Sequence, residues 1–342
     1  MNYKFIAGID QSKLTLDVCL IEVSQRQKLG EKKFENTSRG FQKMRKWFDL
    51  YVADVNELLL CSEHTGLYSY PLCVFCQEGN LPLWLESPLQ IKQSMGIQRG
   101  KNDRVDASRI ANYAAAHLDK VKLFQMPGKA LLGLKQLIAY RERLIRSKKS
   151  ISTAAKEINE FDADFSGHIT RESKSLVKTI VMKIERAEAK IRELIESDKQ
   201  LSRQYHLVKS VPAVGPIMAA YFLVFTCGFT RFQTSRQFAC FSGIAPFEYE
   251  SGTSIRGKTR VSHLANKSLK TMLNLCAVSM LRKGNEYSDY YKRKIDEGKN
   301  KMSVINAIRN KIVSRVFAVI ERDTEYLSVE EYKKLTQVES MA

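Results

Sequence analysis

Phe5-Ile6-Ala7-Gly8-Ile9-Asp10 decides the fold: an apolar run of strand length that ends in an acid. The same pattern returns in Leu58-Leu59-Leu60-Cys61-Ser62-Glu63, where a second apolar run closes on Glu63. Two more acids stand in Arg99-Gly100-Lys101-Asn102-Asp103-Arg104-Val105-Asp106, just before the helical stretch Ala107–Ala116. Three-residue spacing places Asp103 and Asp106 on one helix face. Acids at two strand ends and at a helix start can converge on a hard divalent cation. Mg²⁺ prefers oxygen ligands and commonly serves phosphoryl transfer. Taken singly each acid is ordinary, and Asp103 with Asp106 also suits the positive end of a helix. Their order and positions together point to metal-assisted phosphodiester chemistry.

Working outward, residues 3–10 and 15–23 read as strands, the second rich in β-branched and apolar residues. Lys28–Phe34 adds a third, making a meander, with Asp17 on the second strand taken as structural. A helix is expected from Ser38 to about Tyr51, a fourth strand over Leu58–Ser62, a helix over Tyr68–Gln77 and a fifth strand over Leu81–Glu86. Three strands followed by alternating helices and strands predict a mixed sheet flanked by helices. That is the order of the ribonuclease-H-like fold.

Beyond the sheet the periodicity turns helical. Leu131, Leu134, Leu137, Ile138, Leu144 and Ile145 mark one stretch from Ala130 to about Glu160. A second runs from Ser173 to Tyr205, with a break expected over Phe161–Thr170. This predicts a long antiparallel coiled-coil hairpin, either an arm, a dimerisation element or part of a helical core. The remainder reads as mainly helical, with helices near 234–242 and 264–281 and a structural turn at Val211-Pro212-Ala213-Val214-Gly215-Pro216. A basic loop is expected over Ser242–Lys258.

The 342 residues carry a formal net charge of +18, unevenly placed. Residues 1–90 hold 10 basic and 11 acidic side chains, 91–160 hold 15 and 6, and 251–320 hold 15 and 4. Two local excesses beside candidate chemistry point to nucleic acid. The longest strongly apolar run, Met218–Phe225, is too short to span a bilayer. The N-terminus lacks a signal-peptide pattern, since Asp10 interrupts it early. Seven scattered cysteines read as reduced, in a cytoplasmic protein, and the single Cys73-Val74-Phe75-Cys76 pair reads as buried structure rather than a zinc site.

The Ser242–Lys258 segment carries a second constellation. Ser251 precedes Gly252, and Arg256, Lys258 and Arg260 follow. A serine among cations can attack a phosphodiester while the cations stabilise the pentacovalent charge. No His–Asp pair accompanies it, so a hydrolase triad is not supported. A basic loop that merely grips phosphate is the plainer reading of the residues alone.

The chain resembles the DEDD-type transposases of the one-ten family of bacterial insertion sequences. The matching residues are Gly8-Ile9-Asp10-Gln11-Ser12-Lys13, Glu63-His64-Thr65-Gly66 and Lys101-Asn102-Asp103-Arg104-Val105-Asp106-Ala107 in the first half. In the second half they are Val211–Gly215, Ser242-Gly243-Ile244-Ala245-Pro246, Glu250-Ser251-Gly252 and Arg256-Gly257-Lys258. The resemblance implies a Holliday-junction-resolvase-like catalytic domain over 1–125, a coiled-coil arm over 126–206, a C-terminal transposase domain over 207–320 and an acidic tail over 321–342. It implies Mg²⁺ at Asp10, Glu63, Asp103 and Asp106, and Ser251 as the nucleophile of a covalent DNA intermediate. Arg99, Lys101 and Arg104, with Arg256, Lys258 and Arg260, are the expected nucleic-acid contacts. Donor and target DNA, a structured bridge RNA and a homodimer or homotetramer are the implied partners, in a bacterial, nucleoid-associated setting. The chain departs from the family's basic-Arg-Gly-Asn turn at Ser262-His263-Leu264-Ala265-Asn266, and Ala213 replaces the usual hairpin glycine. Two other readings stand beside the recombinase: a metal-dependent junction endonuclease using water, and an inactive RNA- or DNA-binding protein.

Overall fold

The structure, a computed structural model, describes residues 3–328 apart from 65, 95–102, 162, 252–254, 263 and 283. The side chains of 67, 103, 104, 163–165, 248–251, 255, 256, 258 and 259 are also outside the description. The chain divides into two units, Met1–Met126 and Pro127–Ala342.

The first unit is built on strands β1 (Phe5–Gln11), β2 (Thr15–Glu22), β3 (Lys28–Glu35), β4 (Leu58–Glu63) and β5 (Leu83–Glu86). They form one sheet in the order β3-β2-β1-β4-β5. The first three strands are antiparallel neighbours, while β4 runs parallel to β1 and β5 parallel to β4. A three-strand meander extended by parallel strands on the far side of β1 is the ribonuclease-H-like arrangement expected from the order of elements. Strand periodicity sorts the side chains onto two faces. Ala7, Ile9, Leu58 and Leu60 pack in one core with Phe41 and Phe48 of α1 (Ser38–Phe48) and with Leu72 and Cys76 of α2 (Tyr70–Glu78). Ile6, Leu59, Cys61 and Trp84 pack in the opposite core with Ile91 of α3 (Pro88–Ser94) and Ala107, Ile110 and Ala111 of α4 (Asp103–Ala116). Gly8 permits α4 to sit so close. A Cβ there would stand 2.3 Å from both the Ala107 carbonyl oxygen and the Ala111 nitrogen.

The second unit opens with the helical hairpin of α5 (Lys129–Phe161) and α6 (Ala163–Glu196). The pairing is antiparallel: Arg141 Nε donates to Glu188 at 2.6 Å, and near the tip Ser166 Oγ donates to Asn159 at 3.1 Å. Within the expected break over Phe161–Thr170 the chain is helical at Phe161 and again from Ala163 in spite of the polar residues, with residue 162 outside the description. The real interruption lies later. Helix α7 (Lys199–Ser210) starts afresh behind Asp198, whose carboxylate accepts from the Gln200 and Leu201 nitrogens at 3.0 Å. Asp198 thus supplies the capping acceptor that starts a new helix inside the stretch expected to run unbroken from Ser173 to Tyr205.

The base of the hairpin is core, with Leu131, Leu134, Ile138, Ile191 and Ile195 buried among the remaining helices. These are α8 (Pro216–Phe225), α9 (Ser235–Phe241), α10 (Lys267–Met280), α11 (Glu286–Asp296) and α12 (Lys301–Arg322). Helix α8 is the apolar run noted above, and Met218–Val224 are buried throughout. A helix apolar all round belongs inside a protein. Among the described residues no helix is long and apolar enough to cross a membrane. The turn between α7 and α8 holds Ala213 at φ +80°, a left-handed conformation that explains why glycine is the residue expected there.

One expectation is corrected. The Ser242–Lys258 segment is not a loop. After a short turn it forms a β-hairpin of β6 (Pro246–Ser251) and β7 (Ile255–Val261). Phe247, Tyr249, Ile255, Thr259 and Val261 supply β-forming residues, Pro246 falls at the strand start, Gly243 in the turn before it and Gly257 within β7.

Candidate functional site

A row of charged residues crosses the sheet at the C-terminal end of β1. In register, Lys33 of β3 stands opposite Asp17 of β2, and Asp17 stands opposite Asp10 of β1. On the other side Ile9 pairs with Ser62, so Asp10 and Glu63 are the next residues along two parallel neighbours. Glu63 in turn stands opposite Glu86 of β5. By alternation Asp10 shares the face of Gly8, and Glu63 that of Cys61, so both occupy the side covered by α4. The sheet therefore brings together two acids that are 53 positions apart in sequence. Ser62 fastens the two strands beneath them. Its hydroxyl donates to the Ile9 carbonyl at 2.8 Å and accepts from the Gln11 amide.

The outer acids of the row are held by partners. Lys33 Nζ lies 3.2 Å from Asp17 Oδ2. Tyr113 of α4 donates its hydroxyl to Glu86 at 3.3 Å, and the Ser87 nitrogen donates at 2.6 Å. Burial, then the Glu86 carboxylate, pushes the Tyr113 phenol up to about 12, so it stays a donor at neutral pH. Asp10 and Glu63 lie between these braced neighbours. The sequence alone gives Asp17 a structural role and assigns none to Glu86. The signal for Glu86 was its place at the end of a third apolar strand, Leu83-Trp84-Leu85-Glu86.

Asp103 opens α4 and Asp106 completes its first turn. Both are inside the helix, whereas the sequence reading began it at Ala107. The Asp106 carboxylate is bonded to Arg109 at 2.6 Å, and the Asp103 side chain lies outside the described residues. Among the described residues no three His, Cys, Asp or Glu side chains come together closely enough to hold a metal ion. Asp10 and Glu63 are brought side by side; Asp106 is committed to Arg109. As donors all four are carboxylates, the chemistry that suits a hard cation. Arg99 and Lys101 lie outside the described residues, as does the Arg104 side chain.

In the second unit Ser251 is the last residue of β6, opposite Ile255, at the tip of the hairpin. Arg256 and Lys258 lie on β7 with side chains outside the description, and Arg260, opposite Phe247, is exposed. The root of the hairpin is pinned more tightly than its sequence suggests. Asn306 and Asn310 of α12 both donate to the Ile244 carbonyl, at 2.8 and 2.9 Å. Arg309, only 5% exposed, donates to Asn306 and to Asn274 of α10. Gly243, at φ +68°, leaves room for Ala265, whose Cβ would sit 2.2 Å from an added side chain. Sequence reasoning missed Asn274, Asn306, Arg309 and Asn310, because polar residues on a helix look like a solvated face until the neighbouring backbone is known. Cys73 and Cys76 are buried in α2, as the sequence reading expected.

Comparison with known proteins covers both units. A transposase model of the DEDD IS110 type matches residues 7–158. A second, described as transposase IS116/IS110/IS902 family, matches residues 205–292. The pilin gene-inverting protein of Moraxella bovis is 25% identical over 327 residues, covering 94% of this chain and 98% of that protein. The transposase for insertion sequence element IS1111A of Coxiella burnetii is 24% identical, over 72% of this chain and 73% of that one. Among solved structures, T. thermophilus RuvC in complex with Holliday junction substrate is 14% identical with a TM-score of 0.27, covering 36% of this chain and 100% of that chain. The fold assignment rests on strand order, not on that last likeness.

Proposed function

The chain belongs to the IS116/IS110/IS902 family of transposases, enzymes that recombine DNA, and from that premise we propose that it cuts and rejoins DNA strands through Ser251 with a divalent cation held by Asp10, Glu63, Asp103 and Asp106. The observation that carries the reading is the placement of Asp10 and Glu63, adjacent on one face at the ends of two parallel strands. Mg²⁺ bound there would polarise a phosphoryl oxygen and offset the charge that builds up on it. Lys33 pairs with Asp17 and the Tyr113 hydroxyl hydrogen-bonds Glu86, which fixes the two acids that flank Asp10 and Glu63 in the row.

Ser251 attacks phosphorus. The Oγ–P bond forms as the P–O bond to deoxyribose breaks, the serine proton is lost, and the departing oxygen takes one up. The phosphoserine ester conserves the bond energy, so a second hydroxyl can reverse the step on another strand without ATP. Arg256, Lys258 and Arg260 follow Ser251 in the chain and suit the pentacovalent charge. The network of Asn306, Asn310 and Arg309 fixes the hairpin root and so supports the position of its tip. The Moraxella relative is named for inverting a pilin gene, an outcome that conservative strand exchange produces. The family resemblance extends the proposal to guidance by a structured bridge RNA, and to a dimer or tetramer in which carboxylates and serine come from different subunits.

The test is a covalent-adduct assay. Protein, Mg²⁺, the flanking RNA and end-labelled donor DNA are mixed, denatured and separated on a gel. A protein–DNA band that disappears in Ser251→Ala and in Asp103→Asn is expected. Free cleaved DNA without adduct, undiminished in Ser251→Ala, means water is the nucleophile and defeats the serine mechanism. Full recombination by Asp103→Asn defeats the metal assignment.

A further inference from the structure

Counted whole, residues 1–90 are nearly neutral, yet their charges are segregated. Residues 26–46 hold eight basic and two acidic side chains, and the rest of that stretch holds two basic and nine acidic. The fold turns this local run into a surface. Strand β3 is the edge of the sheet, and α1 follows it directly. Between them lies a groove lined by Lys32, Lys33, Lys43, Lys46, Trp47 and Leu50, with Glu35 as its acid. All four lysines are exposed. Lys33 reaches Asp17, and Lys32 stands 5.8 Å from the Phe34 ring. Lys43 and Lys46 make no ion pair among the described residues. Arg39 extends their row along α1, because positions 39, 43 and 46 share one helix face.

We infer that this β3–α1 groove is a third nucleic-acid surface, one that grips the phosphate backbone of duplex DNA. Two observations favour that occupant. The charge is concentrated and mostly uncompensated, as a polyanion requires. The groove offers ammonium groups rather than open aromatic faces, since Trp47 and Phe34 are 7% and 5% exposed. Backbone contact is therefore favoured over stacking of single-stranded bases. The inference takes DNA as the substrate from the function proposed above, but its binding test needs neither metal nor cleavage.

Binding of the full-length protein to a fluorescent 40-base-pair DNA duplex of arbitrary sequence is measured in EDTA across a range of salt concentrations. The Lys32→Gln/Lys43→Gln/Lys46→Gln variant should bind about ten-fold or more weakly near 100 mM salt. Its log–log salt slope should be shallower by about two to three, since each lost phosphate contact removes roughly 0.9. Single Lys43→Gln and Lys46→Gln variants should each show about a third of the change in slope, which keeps the inference testable should the triple variant fold poorly. Wild-type affinity and slope in these variants would overturn it. So would a loss confined to duplex RNA, with DNA binding intact, which would assign the groove to RNA instead. Because binding is read in EDTA, without cleavage or adduct formation, failure of the serine mechanism and failure of the groove are read separately.

Discussion

At the scale of single residues, two kinds of position carry this protein: those that bear chemistry and those that permit close approach. Gly8 is of the second kind. Gly8→Ala places a Cβ against α4 backbone on two sides, and backbone cannot step aside as a flexible side chain would. Overpacking of this sort costs about 1–3 kcal/mol, so a lower urea midpoint is expected with an unchanged slope. Asn306 and Asn310 share one acceptor, the Ile244 carbonyl. Asn306→Ala should cost on the order of 1 kcal/mol from lost hydrogen bonds and leave Arg309 with one amide partner fewer. If the hairpin root positions Ser251, adduct formation should fall by more than folding does, measured at a temperature where the variant is fully folded. Equal losses in both would mean the network is purely structural.

At the scale of elements, a docked C-terminal strap shows how one carboxylate ties several pieces together. Glu286 at the start of α11 accepts from Arg315 of α12 at 2.7 Å and from the Tyr326 hydroxyl at 2.9 Å, while the Tyr326 nitrogen donates to Ser210 of α7. Burial pushes the Glu286 carboxyl up, but hydrogen bonds from Arg315 and Tyr326, with the charges of Arg315 and Lys311, outweigh it and hold the carboxyl below its usual value. A depressed folded pKa means the stabilisation is complete above the unfolded value of about 4.3 and is lost as pH falls through the folded one. The stability gap between wild type and Glu286→Gln should therefore be level near neutral pH and close in acid. A gap that persists unchanged to pH 3 would show that charge has no part in it.

At the scale of the whole molecule, the chain divides at Met126, and both cores of the sheet lie wholly within the first unit. A fragment of residues 1–126 should fold alone, giving a cooperative melt and dispersed amide resonances. A non-cooperative melt would show that Pro127–Ala342 is needed to complete it. The second unit has its own core, around α8, to which the base of the long hairpin contributes.

Most of the sheet could be read from the sequence, because its strands are short apolar runs with acids and turn residues at their ends, and that signal is local. The acids themselves were legible for the same reason. Less visible was anything fixed by a neighbour distant in the chain. Gly and Pro in the Ser242–Lys258 segment pointed to a loop, while the structure pairs it into a hairpin. Asp198 caps the start of a new helix where periodicity alone would have continued the old one. Lys32 and Lys43 stand eleven positions apart, and only the packing of α1 beside the edge strand β3 joins them in one groove. The sequence by itself determined the strands of the first-unit sheet, the helices between them and the carboxylates at the strand ends, since those follow from local hydrophobic periodicity. Only the tertiary structure decided that Asp10 and Glu63 stand together, that Lys33 shares their row and that Asn306 reaches Ile244, because register and packing are set by contacts between residues far apart in the chain.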